Sequence, residues 1–214
     1  MSPTPFKRVL RYSICVSGAA SGETVRESYQ KALELGRAIA KSGQILTTGA
    51  TLGLPYYAAY GAKEAGGMSV GFSPAASLRE HLHKYRLPYD CYDFVNFTGL
   101  HYVGRDLYLV QSSDAVITIG GRFGSLHEFT SALEAGKPCG ILTGSGGTAD
   151  IIESLMQILE PPHDSIVIYD DDPDRLVQKV IERAYQKYRD IHEDLTKSDG
   201  HWFLHPDEHL GHQG

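Results

Sequence analysis

The residue types and spacing best suited to chemistry lie in the stretch DAVITIGGRFGSLHEFTSALEAGKP. An apolar strand leads into Gly120 and Gly121, and Gly124 and Ser125 then open a helix that carries Glu128. Glycines let the backbone approach a ligand closely, and the first N–H groups of a helix have no intrahelical partner and favour an anion. Such a turn is suited to binding a phosphate, and the Ser125 hydroxyl would be a further hydrogen-bond donor to it.

Glu128 admits two interpretations. It follows Gly124 by four residues and so faces the same end of the helix, where a carboxylate would repel a phosphate. It suits a site if it faces another part of the ligand, such as a ribose hydroxyl or an anomeric carbon that becomes cationic. Alternatively, it is simply an acid in a first helical turn, where the helix dipole favours it.

The elements that must position these residues alternate between strand and helix. Short apolar runs predict strands, and longer runs with apolar residues at helical spacing predict helices. The predicted strands are 12–16, 44–48, 68–72, 92–97, 114–119, 139–142 and 165–169. The predicted helices are 24–42, 54–64, 104–113, one from GGRFGSLHE to about residue 135, 149–159, and one long final helix from 173 to about 195 with Asp172 as its N-cap. Residues 78–90 are predicted to form a loop or a short helix.

This alternation predicts an α/β fold, a doubly wound three-layer parallel sheet of six or seven strands in a single domain. The strands are continuous apolar runs, as expected when helices cover both faces of the sheet. Ligands bind such sheets at the carboxyl ends of the strands, near the point where strand order reverses. The predicted organisation is an N-terminal arm at 1–10, a nucleotide-binding domain at 11–195 and a His-rich tail at 196–214.

Composition excludes several function classes. The 214 residues carry a formal net charge of −6, so no basic field is available to hold nucleic acid. No apolar run reaches the length of a membrane span, and the first residues are too polar and Pro-rich for a signal peptide. Cys15, Cys91 and Cys139 are far apart and without CxxC spacing, which favours a reducing cytoplasm and argues against a thiolate zinc site. We therefore expect a cytoplasmic protein with no metal and no cofactor.

Two other segments leave alternatives open. The tail holds four histidines, His201, His205, His209 and His212, which could capture a metal or belong to a polar terminal arm. The segment 79–102 is rich in tyrosine, phenylalanine and histidine. It could stack a purine or pterin ring, or lie in a dimer interface, where tyrosine is enriched.

Four blocks, in order, resemble the LONELY GUY (LOG) family of cytokinin-activating enzymes, long labelled lysine decarboxylase-like, and the related molybdenum-cofactor carrier branch. ICVSGAA, with Gly18, is similar to the family's opening strand and turn. ILTTGATLGLPYYAAYGAKEAGG, with Gly49 and Gly53, is similar to its second strand, turn and small-residue helix. In GRDLYLVQSSDAVI, Arg105 precedes Asp114 by the family's nine residues, and GGRFGSLHE corresponds to PGGxGTxxE. The resemblance covers roughly residues 11–160.

The resemblance implies a Rossmann-like fold that binds a nucleotide or a related phosphorylated small molecule. In the LOG enzymes the reaction is hydrolysis of the N-glycosidic bond of a nucleoside 5′-monophosphate, and Arg105 and Glu128 correspond to the catalytic pair. The resemblance also implies a homodimer or higher homo-oligomer. The residues expected to bind the phosphate or nucleotide are Gly18, Gly49, Gly53, Gly120, Gly121, Arg122, Gly124 and Ser125.

The departures from the LOG pattern favour an alternative function. Gly120 replaces a proline, which makes the start of the motif more similar to the carrier branch. Arg122 replaces a glycine and puts a cation into the turn, where it could bind an additional phosphate or point outward. Ser125 keeps the hydroxyl of the threonine that it replaces, and His127 stands where the LOG enzymes have a first glutamate. The alternative is a binding protein without turnover, a carrier or sensor for a nucleotide or the molybdenum cofactor.

Overall fold

A computed structural model describes residues 10–159 and 166–197 of the chain. Within these residues, seven strands form one parallel sheet in the order β4-β3-β2-β1-β5-β6-β7. The strands are β1 (Ser13–Gly18), β2 (Ile45–Thr48), β3 (Met68–Ser73), β4 (Phe94–Phe97), β5 (Ala115–Ile119), β6 (Cys139–Leu142) and β7 (Val167–Asp170). The α/β doubly wound fold and the upper of the two predicted strand counts are confirmed.

Helices connect successive strands, apart from the link between β3 and β4, which contains a single π-helical turn at Glu80–Lys84. The helices are α1 (Glu23–Lys41), α2 (Leu54–Glu64), α3 (His101–Gln111), α4 (Phe123–Glu134), α5 (Gly147–Leu159), α6 (Pro173–Lys187) and α7 (Arg189–Lys197). The predicted bounds of α2 and β6 agree with those of the structure, and α3 begins three residues earlier than predicted.

The prediction of one long final helix is wrong. The chain forms two helices, α6 and α7, separated by a turn at Tyr188. No glycine or proline marks this break, so the sequence pattern offered no signal for it. The predicted N-cap agrees with the structure, because Asp172 Oδ1 accepts a hydrogen bond from the backbone N–H of Arg175 at 2.8 Å.

Small and apolar residues set the distances between the layers. Helices α1 and α2 pack closely because Gly36 and Gly61 have no side chain at their contact. A Cβ on Gly36 would overlap the Ala58 carbonyl, and one on Gly61 would overlap the Leu33 carbonyl. Helix α3 packs on α4. The core between α3, α4, α5 and the sheet consists of buried apolar side chains, among them Leu109, Val110, Val116, Phe129, Ile141 and Ile152.

The reversal of strand order lies between β1 and β5. From β1 the chain proceeds through β2, β3 and β4 to one edge, and then returns to place β5 on the other side of β1. Their register pairs Ser17 with Thr118 and Gly18 with Ile119. The loops after the two strands thus diverge to opposite sides and leave a crevice between them, which is where doubly wound sheets bind ligands.

The described residues from Arg11 to Ala184 form one compact unit. The last turn of α6 and helix α7 belong to a second unit. Within that unit, the centres of the Tyr185 and His192 rings lie 4.8 Å apart. Almost all of the predicted arm at 1–10 and of the tail at 196–214, including its four histidines, lies outside the described residues. The domain boundaries therefore stay a prediction.

Candidate functional site

A cavity of about 250 Å³ lies at the carboxyl ends of β1 and β5. Seven of the ten predicted site residues line it: Gly18, Gly49, Arg105, Arg122, Gly124, Ser125 and Glu128. The other lining residues are Val16, Ala19, Ala20, Thr51, Pro55, Tyr102 and Asp106. Ligand pockets typically measure about 300–1,000 Å³, so this one is sized for a small ligand, or for the phosphate and sugar of a nucleotide with its base nearer the mouth.

The start of α4 forms one wall of the cavity. Gly120 and Gly121 take φ values of 56° and 105°, which non-glycine residues rarely adopt, and so turn the chain sharply after β5. Their carbonyls accept hydrogen bonds of 2.9 Å and 3.1 Å from the first residues of α5, which tie the turn in place. Arg122 stands at the N-cap in an extended conformation. The N–H groups of the following turn have no intrahelical acceptor, which makes this wall suited to an anion.

Gly124 and Ser125 lie within that first turn. A Cβ added to Gly124 would have no atom within 4 Å, so the backbone there is open for a ligand to approach. Ser125 is buried and lines the cavity. Arg122 is exposed, and its Nη2 donates a hydrogen bond of 2.8 Å to Ser21 Oγ in the loop after β1. One cation at the mouth of the cavity therefore connects the loops that follow β1 and β5.

Glu128 lies in the cavity wall, only 8% exposed. The Ser17 hydroxyl at the end of β1 donates a hydrogen bond to Glu128 Oε2. Burial raises the pKa of Glu128 to about 7; the charge of Arg105 opposes this shift, and that of Asp106 adds to it. A carboxyl with this pKa can hold or release a proton near neutral pH, which is the property of a general acid or base.

Arg105 is buried, although it lies on a helix and carries a charge. Its guanidinium reaches from α3 to the carboxyl ends of β2 and β3, where Nη1 donates to the carbonyls of Gly49 and, at 3.0 Å, Phe72. Its Nε lies 3.0 Å from Asp106 Oδ1, but without the alignment of a hydrogen bond, so this buried N–H has no hydrogen-bond partner among the described residues. A ligand oxygen in the cavity is a natural acceptor for it.

Asp106 is a cavity residue that the sequence analysis missed. It is buried, and besides the contact with Arg105 its Oδ2 lies 3.3 Å from Nδ1 of His127 on α4. His127 itself is not among the cavity-lining residues, in keeping with its position next to Glu128 on the helix. The only signal for Asp106 was an acid directly after the candidate arginine, and adjacent helical residues do not face each other in an isolated helix.

The remaining predicted glycines shape the cavity without lining it. Gly53, at a φ of 77°, starts α2, and a Cβ there would overlap the backbone of Ala19. Leu54 N donates to the Ala19 carbonyl at 2.8 Å, which joins the loop after β1 to the start of α2. Gly120 and Gly121 act through the turn described above. Among the described residues, these three predicted binding residues therefore position the site from outside the cavity.

The aromatic segment contributes one residue to the cavity, Tyr102. The Arg105 Cζ lies 5.9 Å from the centre of its ring, and Tyr85 packs edge-on against it at 5.8 Å. Tyr102 is 47% exposed, and an exposed tyrosine ring can stack with a planar group. His81, in contrast, is fully buried between Ser73 Oγ and the Pro88 carbonyl at 2.9 Å each, which is a structural role.

Two findings bear on metals and membranes. In the described parts of the chain, no three His, Cys, Asp or Glu side chains are grouped so that they could hold a metal ion. All three cysteines are buried free thiols. None of the helices within residues 10–159 and 166–197 is long and apolar enough to cross a membrane.

Known proteins resemble this chain in sequence and structure. An uncharacterised protein of Archaeoglobus fulgidus is 30% identical over 148 residues, which are 68% of this chain and 87% of that protein. The molybdenum cofactor binding protein of Rippkaea orientalis superposes with a TM-score of 0.65 at 27% identity, covering 82% of this chain and 98% of that one. The molybdenum cofactor carrier protein of Chlamydomonas reinhardtii superposes with a TM-score of 0.68 at 26% identity, covering 83% and 99%.

The family assignment agrees with the fold and with the position of the cavity. The sequence matches the SLOG cluster4 family over residues 11–177, which span the sheet from β1 to β7 and the whole cavity. The expected LOG-like family with a Rossmann-like fold, close to the molybdenum cofactor carriers, is thereby confirmed. The chain belongs to the SLOG cluster4 family.

Proposed function

We propose that the cavity binds a nucleoside 5′-monophosphate and that the protein hydrolyses its N-glycosidic bond to free base and ribose 5-phosphate. The observation that carries this proposal is the meeting of two features in one cavity. The first turn of α4, with Ser125 and Arg122, offers an anion site, and the buried Glu128 lies one helical turn further along the same wall. A site for binding alone would have little use for a buried carboxyl beside its anion site.

The phosphate is held at the start of α4 by backbone N–H groups, the Ser125 hydroxyl and the Arg122 guanidinium. This directs the sugar along the cavity wall towards Glu128. The base then lies nearer the mouth, where the half-exposed ring of Tyr102 stacks on it. Arg105, fixed to the ends of β2 and β3, donates from its unpartnered Nε to a ligand oxygen. Together these contacts hold the ligand at both ends of the bond that breaks.

The reaction breaks the bond between the anomeric carbon and the base nitrogen. Protonated Glu128 gives its proton to the departing base, and the resulting carboxylate stabilises the positive charge that develops on the ribose. Water attacks the anomeric carbon and returns a proton to Glu128. The products are the protonated base nitrogen and a new hydroxyl on ribose 5-phosphate, so atoms and charge balance. A pKa of about 7 lets Glu128 perform both steps near neutral pH.

The second candidate function is a carrier or sensor that binds a phosphorylated cofactor or nucleotide without turnover. The exposed Arg122 at the cavity mouth favours it, because a cation there recognises an anionic ligand without any role at the glycosidic bond. The structural similarity to proteins described as molybdenum cofactor carriers supports it as well. In either function the partner is a small phosphorylated molecule, and hydrolysis itself requires no resident cofactor.

A panel of nucleoside 5′-monophosphates incubated with the purified protein, with free base followed by chromatography, separates the two functions. We expect base release from the wild type and a loss of at least about a hundredfold in the Glu128→Gln and Arg105→Ala variants. Glu134→Gln is the matched control, since Glu134 is an exposed acid at the end of the same helix. Saturable binding of one nucleotide without any base release would instead establish the carrier or sensor function.

We also propose that the protein assembles as a homodimer through α3. Leu100, Val103 and Leu107 follow each other at helical spacing and are 43%, 70% and 48% exposed. Such an apolar stripe on a surface helix is typical of a helix that packs on another chain. We expect light scattering to give a dimer mass for the wild type and a monomer mass for Val103→Glu. A monomeric wild type would contradict this.

A further inference from the structure

Three polar side chains form a continuous series of contacts from the cavity wall to the surface. Arg105 lines the cavity, Asp106 contacts Arg105 Nε at 3.0 Å, and His127 contacts the other oxygen of Asp106 at 3.3 Å. The side chains of Arg105 and Asp106 are 5% and 9% exposed, while that of His127 is 38% exposed. Asp106 is therefore the link through which a buried guanidinium is connected to a group in contact with water.

The position of Arg105 depends on few contacts. Two backbone carbonyls, of Gly49 and Phe72, hold Nη1 at one end of the guanidinium. At the Nε side, the carboxylate of Asp106 lies 3.0 Å away. Rotation of the guanidinium would break the Nη1 hydrogen bonds and the Asp106 contact together. Without the Asp106 carboxylate, the contacts described for the guanidinium are the two carbonyls at Nη1 and the ring of Tyr102. Asp106 thus constrains the direction in which Arg105 presents its remaining donors to the cavity.

The charges around Glu128 come from two helices and one strand. Arg105 and Asp106 approach from α3, His127 lies beside Glu128 on α4, and Cys15 lies on β1, where burial keeps the pKa of its thiol well above the ordinary value. Within this group the only guanidinium, that of Arg105, is shared by two carboxyl groups. Because Asp106 pairs with it directly, Glu128 receives less stabilisation of its charged form than it would from an unpaired arginine.

We propose that Asp106 is a positioning residue of this site: it fixes the direction of Arg105 and, by pairing with that arginine, leaves Glu128 in the proton-bearing form that gives a proton to the departing base. The last step rests on the proposed hydrolysis, whereas the electrostatic relation between the two carboxyl groups does not. Asp106 itself needs no contact with the reacting atoms. Its influence passes through Arg105 and through the charge state of Glu128.

The decisive variant is Asp106→Asn, which keeps the shape of the side chain and removes its charge. Asp170→Asn is the matched control, because Asp170 is a buried aspartate paired with Arg175 and Lys179, outside the cavity. The direct measurement is a carbon-13 NMR titration of the glutamate carboxyl groups, with Glu128→Gln to assign the signal of Glu128. We expect the midpoint of Glu128 to fall by about one pH unit in Asp106→Asn and to stay unchanged in Asp170→Asn.

Kinetics provide the second measurement. With a midpoint near 7, a fall of one unit reduces the protonated fraction of Glu128 at pH 7 from about half to about a tenth, so kcat should fall about fivefold from this cause alone. The less constrained Arg105 should add a further loss in kcat that is the same at every pH. KM for the nucleotide should change little, since α4 and Ser125 hold the phosphate. The falling limb of the pH–rate profile should move to lower pH by the same amount as the NMR midpoint. A general loss of structure would instead reduce kcat equally at every pH without moving that limb.

The outcomes separate this inference from the proposed function. A lowered NMR midpoint without base release in any protein supports the role of Asp106 and overturns hydrolysis. Base release in the wild type with an unmoved or raised midpoint in Asp106→Asn overturns the role of Asp106 and leaves hydrolysis standing. Should Asp106→Asn fail to fold by circular dichroism, Asp106→Ser is titrated in its place, with the same expected direction and the same overturning result.

Discussion

The guanidinium of Arg105 occupies the space that a Cβ on Gly49 would fill. Gly49 directly follows β2, and its carbonyl accepts a hydrogen bond from Arg105 Nη1. Because Gly49 has no side chain and offers this backbone acceptor, the guanidinium can lie against it. Gly49 thus holds Arg105 in place, and its predicted role in binding phosphate or nucleotide stays a prediction. This relation explains why a glycine and an arginine 56 residues apart belong to one site.

Gly49→Ala should therefore displace Arg105 and reduce base release to the level of Arg105→Ala. The destabilisation should be modest, about 1–2 kcal/mol, because the group that must move is the end of a side chain and the loss is that of buried hydrogen bonds. Chemical unfolding and base-release assays of the two single variants and the double variant test this. In the Arg105→Ala background the space is already vacant, so Gly49→Ala should add little. An equal destabilisation in both backgrounds would contradict the explanation.

Gly124→Ala should separate binding from stability, because its Cβ would point into open space, where we propose that the phosphate binds. Gly124 lies in the first turn of α4 without a positive φ, so alanine should leave the folded state unchanged or stabilise it by up to about 1 kcal/mol. Phosphate binding should nevertheless weaken, since the methyl group reduces the approach to the backbone N–H groups. Thermal unfolding and calorimetric titration with a nucleoside 5′-monophosphate measure the two effects. Unchanged affinity would argue against the anion site.

Glu128→Gln should stabilise the fold at alkaline pH. The pKa of Glu128 is about 7 in the folded chain against an ordinary value of 4.5, so the folded state binds more protons than the unfolded state between these values. The stability that the carboxyl contributes is then fully present below about 4.5 and is lost as pH rises through about 7. A neutral glutamine avoids the loss, and the gain at pH 8 should be about 3 kcal/mol, vanishing towards pH 4.5. Urea unfolding at several pH values measures it, with Glu134→Gln as control; a gain that is the same at every pH would refute the burial argument.

Arg122→Ala should weaken the binding of phosphorylated ligands in a salt-dependent way. Arg122 is exposed and held by Ser21, so its attraction for an anion acts through solvent as well as by contact. The loss of affinity should be large at low salt and shrink at about 1 M salt, where the Debye length is only about 3 Å. Arg26→Ala is the control, since that exposed arginine pairs only with Glu23 among the described ion pairs. If the two variants bind alike at low salt, Arg122 points outward and has no role in the site.

The local structure around the proposed anion site could be predicted from short stretches of sequence. The strand, glycine turn and helix from β5 to α4 could be predicted because apolar runs, glycines and helix starts act within a few residues of each other. The same pattern predicted that Gly124, Ser125 and Glu128 lie together at one helix end. Gly120 and Gly121 take positive φ values, which glycine adopts readily, so the residue type itself predicts a tight turn at this point.

The sequence by itself determined the alternation of strands and helices, the doubly wound class, the candidate pair Arg105 and Glu128, and the family resemblance. Only the tertiary structure decided that Arg105 is buried, that Gly49 receives it, and that Asp106 connects it to His127. These contacts join α3 to β2, β3 and α4, elements that meet only when the sheet brings them to one edge. Local sequence pattern cannot predict these contacts. The burial of Arg105, the charges it shares and the raised pKa of Glu128 arise because distant parts of the chain come together and exclude water from one small volume.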